Sequence, residues 1–409
     1  MRQLVVIGAG AAGLMAAIIA SRKKRDVLLL ERNHQAGLKI LATGDGKGNL
    51  SNLNLTIDHY HGKEPSFVRS GLDDFGFQQT RDFFEELGIK LIIDDQGRIF
   101  PASREASIVQ KKFISEIQHL KVEMCLGVRV QEIQRIGQFF EIKMKQSPPV
   151  FTKRIILATG GLTAPQLGAT GDGYHWAARL GHHIVPQFPA LIQLNAVFKD
   201  SYLLDKVKLA GIRLDLFIDE QRITSKIGDL LFIHHGISGS TVFAISRLAS
   251  EALFHQRKVV LQVNFIPNIP VFEIKKLFEE KKKKRSGQSL VLLLEGVLPE
   301  KISHFILKAL EIEENQPVGL FQENQIDQLI QKITHFYIPV TGVRSWKYAQ
   351  VTCGGIDVTE VNPRTMESKI IPHLYFAGEI LDIDGDCGGY NLQWAWSSGY
   401  LAGKSAGEG

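Results

Sequence analysis

The start of the chain shows apolar runs of strand length separated by a helical stretch. The uncharged run Leu4–Ile7 leads into a turn with three glycines, and small and aliphatic residues follow with helical spacing. A second apolar run, Val27–Leu30, ends at Glu31. Short apolar runs bounded by glycine are typical of buried parallel strands. The pattern therefore predicts a strand, a glycine turn, a helix and a second strand.

The rest of the chain divides into regions of different pattern. Helical spacing over 66–88, 104–120 and 172–180 alternates with strand patterns over 122–130, 139–145 and 154–161. Between about 186 and 339 the character changes: alternating patterns over 191–197, 212–218 and 259–265 predict antiparallel strands in a separate sheet or small barrel. Helical patterns follow over 273–284, 290–294 and 300–310. A last apolar strand, 373–379, and a helix after Gly389 close the chain.

Each residue type in the first turn suits a dinucleotide. Gly8 allows a tight turn after the strand, Gly10 lets the main chain approach a pyrophosphate, and Gly13 lets the helix pack closely on the sheet. The helix N-terminus attracts the phosphates, and Glu31 can accept hydrogen bonds from a ribose. These positions predict an adenine dinucleotide.

Two other interpretations of the first apolar run are weaker. It falls short of the roughly 20 residues of a membrane-spanning helix and is interrupted by glycines. A signal peptide is disfavoured because the basic run Ser21–Arg25 occupies the place of a small-residue cleavage site.

Composition and charge narrow the class further. The 409 residues suffice for two or three domains, and a hydrophobic fraction of 44% with a charged fraction of 22% is ordinary for a globular protein. The net charge of +5 is mild, and we interpret the basic run Lys281–Arg285 as a solvated helix end, so a nucleic-acid partner is not expected. Three widely spaced cysteines exclude a disulfide framework and a CxxC zinc site. We expect no metal, no membrane span and a reducing, cytoplasmic location.

Two glycine-rich segments carry candidate chemistry. The polar loop Gly37–Asn52 can wrap a ligand with main-chain and amide donors, or it is a flexible surface linker. At the other end of the chain, a strand ends at Gly378-Glu379 and a helix starts at Gly388-Gly389, where free N–H groups can meet an anion. The reduced isoalloxazine ring of a flavin is such an anion. A ligand that reaches both ends of the chain is FAD rather than NAD.

These stretches together resemble the bacterial BaiN-like, or aminoacetone-oxidase-type, FAD-dependent oxidoreductases. The resemblance covers nearly the whole chain. The stretches that carry it are Gly8–Gly13, Lys39–Asn52, Gly97–Pro101, Ala158–Gly161, Gly171–Tyr174, Leu230–His234, Gly354–Lys369 and Tyr375–Gly403.

The resemblance implies an α/β fold with a discontinuous Rossmann-like FAD-binding domain over 1–189 and 336–409. An inserted β-rich domain would occupy 190–265 with about 318–335, and a helical subdomain 266–317. The motifs and the resemblance together give these expected cofactor-binding residues: Gly8, Gly10, Ala11, Ala12, Gly13, Glu31, Arg32, Lys39, Thr43, Gly44, Asn49, Asn52, Val130, Ala158, Thr159, Gly160, Gly378, Glu379, Asp384, Gly389, Tyr390, Asn391 and Leu392.

The chain departs from the family pattern in one loop. The family usually has Gly-Gly-Gly-Arg-Cys-Asn, whereas this chain has Gly-Asp-Gly-Lys-Gly-Asn over 44–49. Lys47 keeps a positive charge but not a planar fork, and Gly48 removes a thiol, so a clamping role of this loop is in doubt. Ile233 and Ser240 also replace a usual Thr and Pro near His234.

The expected activity is an FAD-dependent oxidoreductase that passes a hydride to or from a small organic substrate. Reduction of an activated C=C bond is one option that the resemblance implies. A second GxGxxG unit and a CxxC pair are both missing from the sequence, which disfavours a disulfide reductase; NAD(P)H could still dock transiently as electron donor.

His234 is the first candidate proton donor because histidine exchanges protons near neutral pH, although a histidine in an apolar run is often structural. Tyr390 and Cys387 are further candidates by their position near the ring, and of the two roles for Cys387 we favour that of a small packing residue. Two other functions stay open, a flavin-containing partner of RNA that uses Lys281–Arg285 and a flavoprotein without catalysis.

Overall fold

The computed structural model describes residues 1–23 and 26–408 of the chain. Lys24 and Arg25, which belong to the basic run discussed above, lie outside the described residues. The chain forms two compact units. The first consists of Met1–Pro189 and Ala349–Gly409, and the second of Ala190–Tyr348.

The first segment of the chain supplies most of the first unit. Its strands are β1 (Arg2–Ile7), β2 (Val27–Leu30), β3 (Ser51–Asn52), β4 (Tyr60–His61), β5 (Leu91–Ile93), β6 (Arg98–Pro101), β7 (Glu123–Cys125), β8 (Val130–Ile136), β9 (Phe139–Met144), β10 (Ser147–Leu157) and β11 (Ile184–Ala190). Its helices are α1 (Ala11–Arg22), α2 (Leu38–Ala42), α3 (Val68–Asp74), α4 (Phe77–Glu86), α5 (Ala106–His119) and α6 (Asp172–Arg179).

The second unit follows without interruption. Its strands are β12 (Leu194–Ala196), β13 (Lys208–Ile218), β14 (Gln221–Ile233), β15 (Gly236–Ser238), β16 (Val259–Asn264) and β17 (Phe336–Val343). Its helices are α7 (Ser240–Phe254), α8 (Val271–Lys284), α9 (Leu290–Leu294), α10 (Glu300–Ala309) and α11 (Glu323–Thr334). The chain then returns to the first unit with β18 (Val351–Ile356), β19 (Leu374–Phe376), β20 (Asp384–Gly385) and α12 (Tyr390–Glu408).

A mostly parallel sheet forms the centre of the first unit. Its strands lie in the order β7-β2-β1-β10, with β19 also parallel to β10, and β9 and β8 extend the sheet antiparallel. Val5 of β1 pairs with Leu28 of β2 on one side and with Ile155 of β10 on the other. All of β2 is buried, as the continuous apolar run requires. The predicted Rossmann-like α/β fold is confirmed.

Helices α1 and α12 cross so closely that only glycine fits between them. A Cβ atom on Gly399 would lie 2.5 Å from the carbonyl oxygen of Ala12, and one on Gly403 the same distance from that of Ala16. This contact joins the first helix of the chain to its last, so the first unit needs both of its segments.

Two elements that were predicted as continuous are each interrupted in the structure. The helix expected over 66–88 is two helices, α3 and α4, because the chain turns at Gly76, where a Cβ atom would lie 2.5 Å from the carbonyl oxygen of Leu72. The strand expected over 122–130 ends at Cys125, and β8 starts only at Val130. Gly127, with φ of +73°, lies in between and donates its N–H to the Asn33 carbonyl.

The second unit is a closed barrel with helices on the same core. The barrel order is β12-β15-β14-β13-β16-β17, and Phe278 of α8, Phe305 of α10 and Leu329 of α11 belong to one apolar cluster with its strands. The structure corrects the boundary at 336. Strand β17 alternates buried and exposed residues along Phe336–Thr341, and it pairs with β12 and β16. It is therefore a barrel strand, and the second unit continues to Tyr348.

The Asp357 side chain stabilises the turn that follows β18. Its buried carboxylate accepts hydrogen bonds from the Thr359 N–H at 3.0 Å and from the Lys63 ammonium at 2.9 Å. Burial alone would raise the pKa of Asp357, but the hydrogen bonds from Thr359 and Lys63 outweigh it and hold the pKa far below the usual value. Among residues 1–23 and 26–408, no helix is both long and apolar enough to cross a membrane.

Acid should weaken the first unit through this carboxylate. Because its folded pKa is depressed, Asp357 stabilises the fold above its unfolded pKa of about 3.9 and loses that contribution as the pH falls below it. We expect Asp357→Asn to lower the unfolding free energy at pH 7 by about 1–3 kcal/mol and to flatten its decline between pH 5 and pH 2. Urea titrations across that range measure both effects. A variant with the wild-type pH dependence would contradict the assignment.

Candidate cofactor and catalytic site

The glycine turn between β1 and α1 has the shape that a dinucleotide needs. Gly8 has φ of +102°, and a Cβ atom there would lie 2.4 Å from the Ala158 carbonyl oxygen at the end of β10. A Cβ atom on Gly13 would lie 1.8 Å from the Gly8 carbonyl oxygen. At Gly10, the N-cap of α1, the same test meets no described atom within 4 Å. The main chain at Gly10 therefore leaves open space at the start of α1 where a phosphate can approach, while Ala11 is partly buried and Ala12 and Gly13 are buried.

Glu31 both shapes this turn and faces the adjoining cleft. Its Oε2 atom accepts a hydrogen bond from the Ala9 N–H and its Oε1 atom one from the Asn33 N–H, both at 2.8 Å. A carboxylate accepts up to about four hydrogen bonds, so capacity remains for a ribose hydroxyl. The sequence indicated the ribose contact but not the bond that holds the glycine turn.

Two clefts adjoin each other, and Glu31 lines the smaller one. The smaller is lined by Ile7, Gly8, Leu30, Glu31, Arg32, Val128, Arg129, Val130, Thr159, Gly168, Thr170, Gly171, Asp172 and Trp176. The larger, of about 470 Å³, shares Arg129, Val130, Asp172 and Trp176 with it. Arg32 is held by Asp172 at 3.1 Å and by the Thr170 hydroxyl. These walls suit the adenosine part of a dinucleotide, and we keep the contacts of Arg32 and Val130 with it as predictions.

The end of β10 adds a second open glycine. Residues Ala158, Thr159 and Gly160 follow Leu157 directly. Gly160 has φ of +72°, and the nearest described atom to a Cβ atom there is Glu379 Oε2 at 3.8 Å. The buried Thr159 hydroxyl has no hydrogen-bond partner within residues 1–23 and 26–408. An open backbone and an unpartnered hydroxyl beside the glycine turn fit a bound pyrophosphate and ribityl chain.

A partly buried ion pair lies next to Gly160. Lys39 Nζ contacts Glu379 Oε2 at 2.6 Å and the Thr163 hydroxyl at 3.0 Å. Glu379 Oε1 accepts hydrogen bonds from the Thr163 hydroxyl at 2.7 Å and the Thr352 N–H at 2.9 Å. Burial alone would raise the pKa of Glu379, but the charge and hydrogen bond of Lys39 and the bonds from both threonines lower it. Glu379 is therefore an anion at neutral pH.

Two of these partners were missed from the sequence. Thr163 and Thr352 are far from Lys39 and Glu379 along the chain, and only the fold brings them together. Gly378, which precedes Glu379, donates its N–H to the Ser398 hydroxyl of α12 at 2.9 Å.

The loop before α12 is held by asparagine side chains. Asn391 accepts a hydrogen bond from the Gly385 N–H at 2.8 Å and donates to the Gly385 carbonyl at 2.7 Å. Asn52 donates to the Gly388 carbonyl at 3.0 Å. Oriented to satisfy both its amide atoms, Asn49 accepts from the Gly389 N–H at 3.2 Å. Three expected cofactor residues therefore shape this loop, and their contacts with the flavin stay predictions.

The other expected residues near this loop are placed as follows. Leu392 lies in the first turn of α12 and is partly buried against the core. Asp384 is buried in β20, where it pairs with His61 of β4. Cys387 is exposed, so its interpretation as a packing residue is wrong. It lies in the loop between β20 and α12.

The glycine-rich loop after α2 is anchored rather than a free linker. Thr43 donates to the Ile40 carbonyl at 2.7 Å and its own carbonyl accepts from the Gly48 N–H at 3.0 Å. The Gly46 carbonyl accepts from the Ala106 N–H at 2.8 Å. Gly44, Asp45, Gly46 and Gly48 all have positive φ, and Lys47 is exposed. A Cβ atom on Gly48 would lie 3.2 Å from the Ala106 Cα atom.

Tyr390 lies beside His59 at the start of α12. Tyr390, the first residue of α12, stacks on His59 with ring centroids 4.3 Å apart, and His59 and His61 both contact Asp386. The two histidines were missed from the sequence.

His234 lies in the second unit, in the two-residue turn between β14 and β15. Its side chain is exposed, and its carbonyl accepts a hydrogen bond from Arg344 at 3.0 Å. It is not a buried structural histidine, and its catalytic role stays a prediction.

The open glycine turn, the acid after β2 and the helix start at Gly388-Gly389 together define a Rossmann-type flavoprotein. A sequence model of the family described as "HI0933-like protein Rossmann domain" matches residues 2–405. The chain belongs to this HI0933-like family, which confirms the resemblance to BaiN-like proteins, and it is an FAD-dependent oxidoreductase.

Three relatives align over almost the whole chain. The 3-dehydro-bile acid delta(4,6)-reductase of Clostridium scindens is 36% identical over 415 residues and covers 100% of both chains. The ribosomal RNA dihydrouridine synthase of Escherichia coli is 31% identical over 97% of this chain and 96% of its own. The protein of that name from Haemophilus influenzae is 30% identical over 98% and 97%.

Gly10 and Gly13 form a matched pair for testing the cofactor site. We expect Gly10→Ala to leave apoprotein stability within about 0.5 kcal/mol of wild type, since no described atom is near, but to weaken FAD binding tenfold or more, about 1.4 kcal/mol. We expect Gly13→Ala to lower the unfolding free energy by about 2 kcal/mol, since its Cβ atom collides with the main chain. Urea unfolding and FAD titration separate the effects. Wild-type FAD affinity in Gly10→Ala would contradict this assignment.

The contacts of Gly48 predict how much stability is lost when it is replaced by cysteine, the residue usual in the family. Gly48→Cys should lower the unfolding free energy by about 2 kcal/mol, because a left-handed conformation costs about 1–2 kcal/mol and Ala106 is in contact. Gly46→Cys is the control, because its φ is +81° but its nearest contact is 4.0 Å away. Thermal unfolding should therefore show a larger loss for Gly48→Cys. Equal losses would mean that the Ala106 contact has no effect.

Proposed function

We propose that this protein reduces a C=C bond conjugated to a carbonyl group, with NAD(P)H as electron donor and FAD as the carrier. The observation that carries the proposal is chemical. A 3-oxo steroid acid with delta(4,6) double bonds and a uracil ring both present a C=C bond conjugated to a carbonyl, and relatives named for both substrates align along nearly all of this chain. The shared reaction class is therefore better supported than either substrate.

FAD, when bound, would supply the hydride chemistry, and the residues of this chain would bind and orient it. The open main chain at Gly10 and Gly160 would receive the phosphates, with Glu31 at the ribose. The ionised Glu379, held by Lys39, would order the chain around the ribityl portion. Tyr390 and His234 remain the candidate proton donors named from the sequence.

A small organic substrate is our first choice. The relative with the highest identity of the three, 36%, is named for a bile acid. The nicotinamide donor would dock transiently, because the sequence holds one GxGxxG turn.

A uracil in RNA is the second candidate. Besides the names of two relatives, the observation that favours it is the cluster Lys281–Lys284 in the last turn of α8, followed by exposed Arg285. Several cations on one helix end suit a phosphate backbone, and such binding weakens steeply with salt.

Anaerobic assays decide among these functions. We expect NADH or NADPH to bleach the flavin absorption, and an enone added afterwards to restore it with formation of the saturated ketone. Restoration by a uridine-containing RNA but not by enones would select the second candidate, and neutral replacements across 281–285 should then abolish it. No bleaching by either nicotinamide would refute the proposed donor. No restoration by either substrate class would refute C=C reduction.

A further inference from the structure

A carboxylate lies between two imidazoles in the loop that leads to α12. His59 Nδ1 is 3.0 Å from Asp386 Oδ2, and His61 Nε2 is 2.8 Å from Asp386 Oδ1. The three side chains are between 32% and 44% exposed. Solvent and a ligand can therefore reach the group.

Main-chain pairing sets this arrangement. Strand β4 runs antiparallel to β20, with His61 opposite Asp384 and Tyr60 opposite Gly385, and the Asp386 N–H donates to the His59 carbonyl at 2.9 Å. His59 is the last residue of a short 3-10 turn, Ile57–His59, and His61 is the last residue of β4. Both imidazoles therefore reach the same carboxylate.

The group is tied to the start of α12. The His59 ring stacks on Tyr390 with an interplanar angle of 20°, and the Tyr60 hydroxyl donates to the Tyr390 carbonyl at 3.2 Å. Burial and the charge of Asp386 raise the pKa of Tyr390, so its hydroxyl stays protonated. The helix start at Tyr390 is the segment expected at the flavin edge, which brings the imidazoles to the reacting end of the site.

Stability alone is a weak reason for this arrangement, because partly exposed ion pairs contribute little to folding. Burial would raise the pKa of Asp386, but the hydrogen bonds from His61 and His59 lower it, so Asp386 stays ionised near neutral pH. A carboxylate bonded to one ring nitrogen orients an imidazole and stabilises its protonated form, leaving the other nitrogen to exchange a proton with a substrate.

The two imidazoles differ in which ring nitrogen is not bonded to Asp386. His59 uses Nδ1 for Asp386, so its outer atom, Nε2, points away from its own main chain. His61 uses Nε2, so its remaining nitrogen is the ring atom next to its main chain. His59 is thus the better placed of the two to donate to a ligand.

We propose that His59 Nε2 is the proton donor of this enzyme, with Asp386 as the positioning residue and His61 as the second partner of that carboxylate. The proposal rests on the proposed C=C reduction. There, the π bond breaks, a hydride that originates from NAD(P)H forms the new bond to the β carbon, and the proton from His59 Nε2 forms the bond to the α carbon. The neutral imidazole then takes a proton from solvent, and NAD(P)H leaves as NAD(P)⁺.

The charged and titratable groups that face His59 are Asp386, His61 and Tyr390. Cys387 adjoins Asp386, and Arg98 and Asp45 lie close enough to influence the Cys387 thiol electrostatically. Tyr60 is buried, and burial raises its pKa, so it does not titrate in the working range.

The test compares His59→Gln, its matched control His61→Gln and the remote surface control His119→Gln, each loaded with FAD. We expect His59→Gln to bleach with NAD(P)H within about twofold of wild type, but to slow reoxidation by the enone about 100-fold or more. The reoxidation rate should stay within about tenfold of wild type in His61→Gln and within about twofold in His119→Gln. Added imidazole should restore part of the rate in His59→Ala. Reoxidation of His59→Gln at the wild-type rate would overturn the proposal.

A readout without turnover completes the test. The absorption spectrum of bound FAD in the substrate-free protein should be shifted in His59→Gln relative to wild type and unchanged in His119→Gln. Identical spectra of His59→Gln and wild type would also overturn the proposal. If wild type reduces no conjugated C=C bond, the proposed function fails instead, and this spectral comparison still shows whether His59 adjoins the flavin.

Discussion

The first unit depends on main-chain segments that approach more closely than any side chain allows. Gly8 lies against the end of β10, Gly13 lies against Gly8, and Gly399 lies against α1. These contacts form a continuous path from the central sheet through the first helix to the last. Because each step excludes a Cβ atom, the path sets where the open space over Gly10 lies, and with it the place of the cofactor.

The site uses charge in two different ways along this framework. Lys39 and Glu379 form a partly buried pair that two threonines complete. Asp386 and its two histidines are partly exposed, and the histidines are about as exposed as Lys39. A carboxylate bonded to an ammonium and two threonines suits the holding of an inert part of a ligand, whereas a carboxylate bonded to imidazoles suits proton exchange. The partners of the two carboxylates thus separate binding from chemistry.

Local sterics explain what could be predicted from the sequence. The glycines at 8, 10 and 13 act through their own missing side chains, and the apolar runs around them bury continuous strands, so a short stretch sufficed. Thr352, by contrast, contacts Glu379 only because β18 passes the end of β10, and no local pattern reveals that. The same holds for His59 and Asp386, which are 327 residues apart. The boundary at 336 was implied by the family resemblance, which carries no strand pairing, and it therefore placed β17 in the wrong unit.

The division of the chain has a consequence for biosynthesis. The barrel unit is one uninterrupted segment, Ala190–Tyr348, so it can fold on the ribosome as soon as that segment emerges. The FAD-binding unit cannot, because β19 and α12 are synthesised last and the first helix waits for Gly399 and Gly403 to cover it. During translation the apolar face of α1 stays uncovered while nearly four hundred further residues are added, on the order of twenty to eighty seconds at usual rates. A nascent chain of this protein is therefore expected to need protection by a chaperone over that interval, and to acquire its flavin only after release.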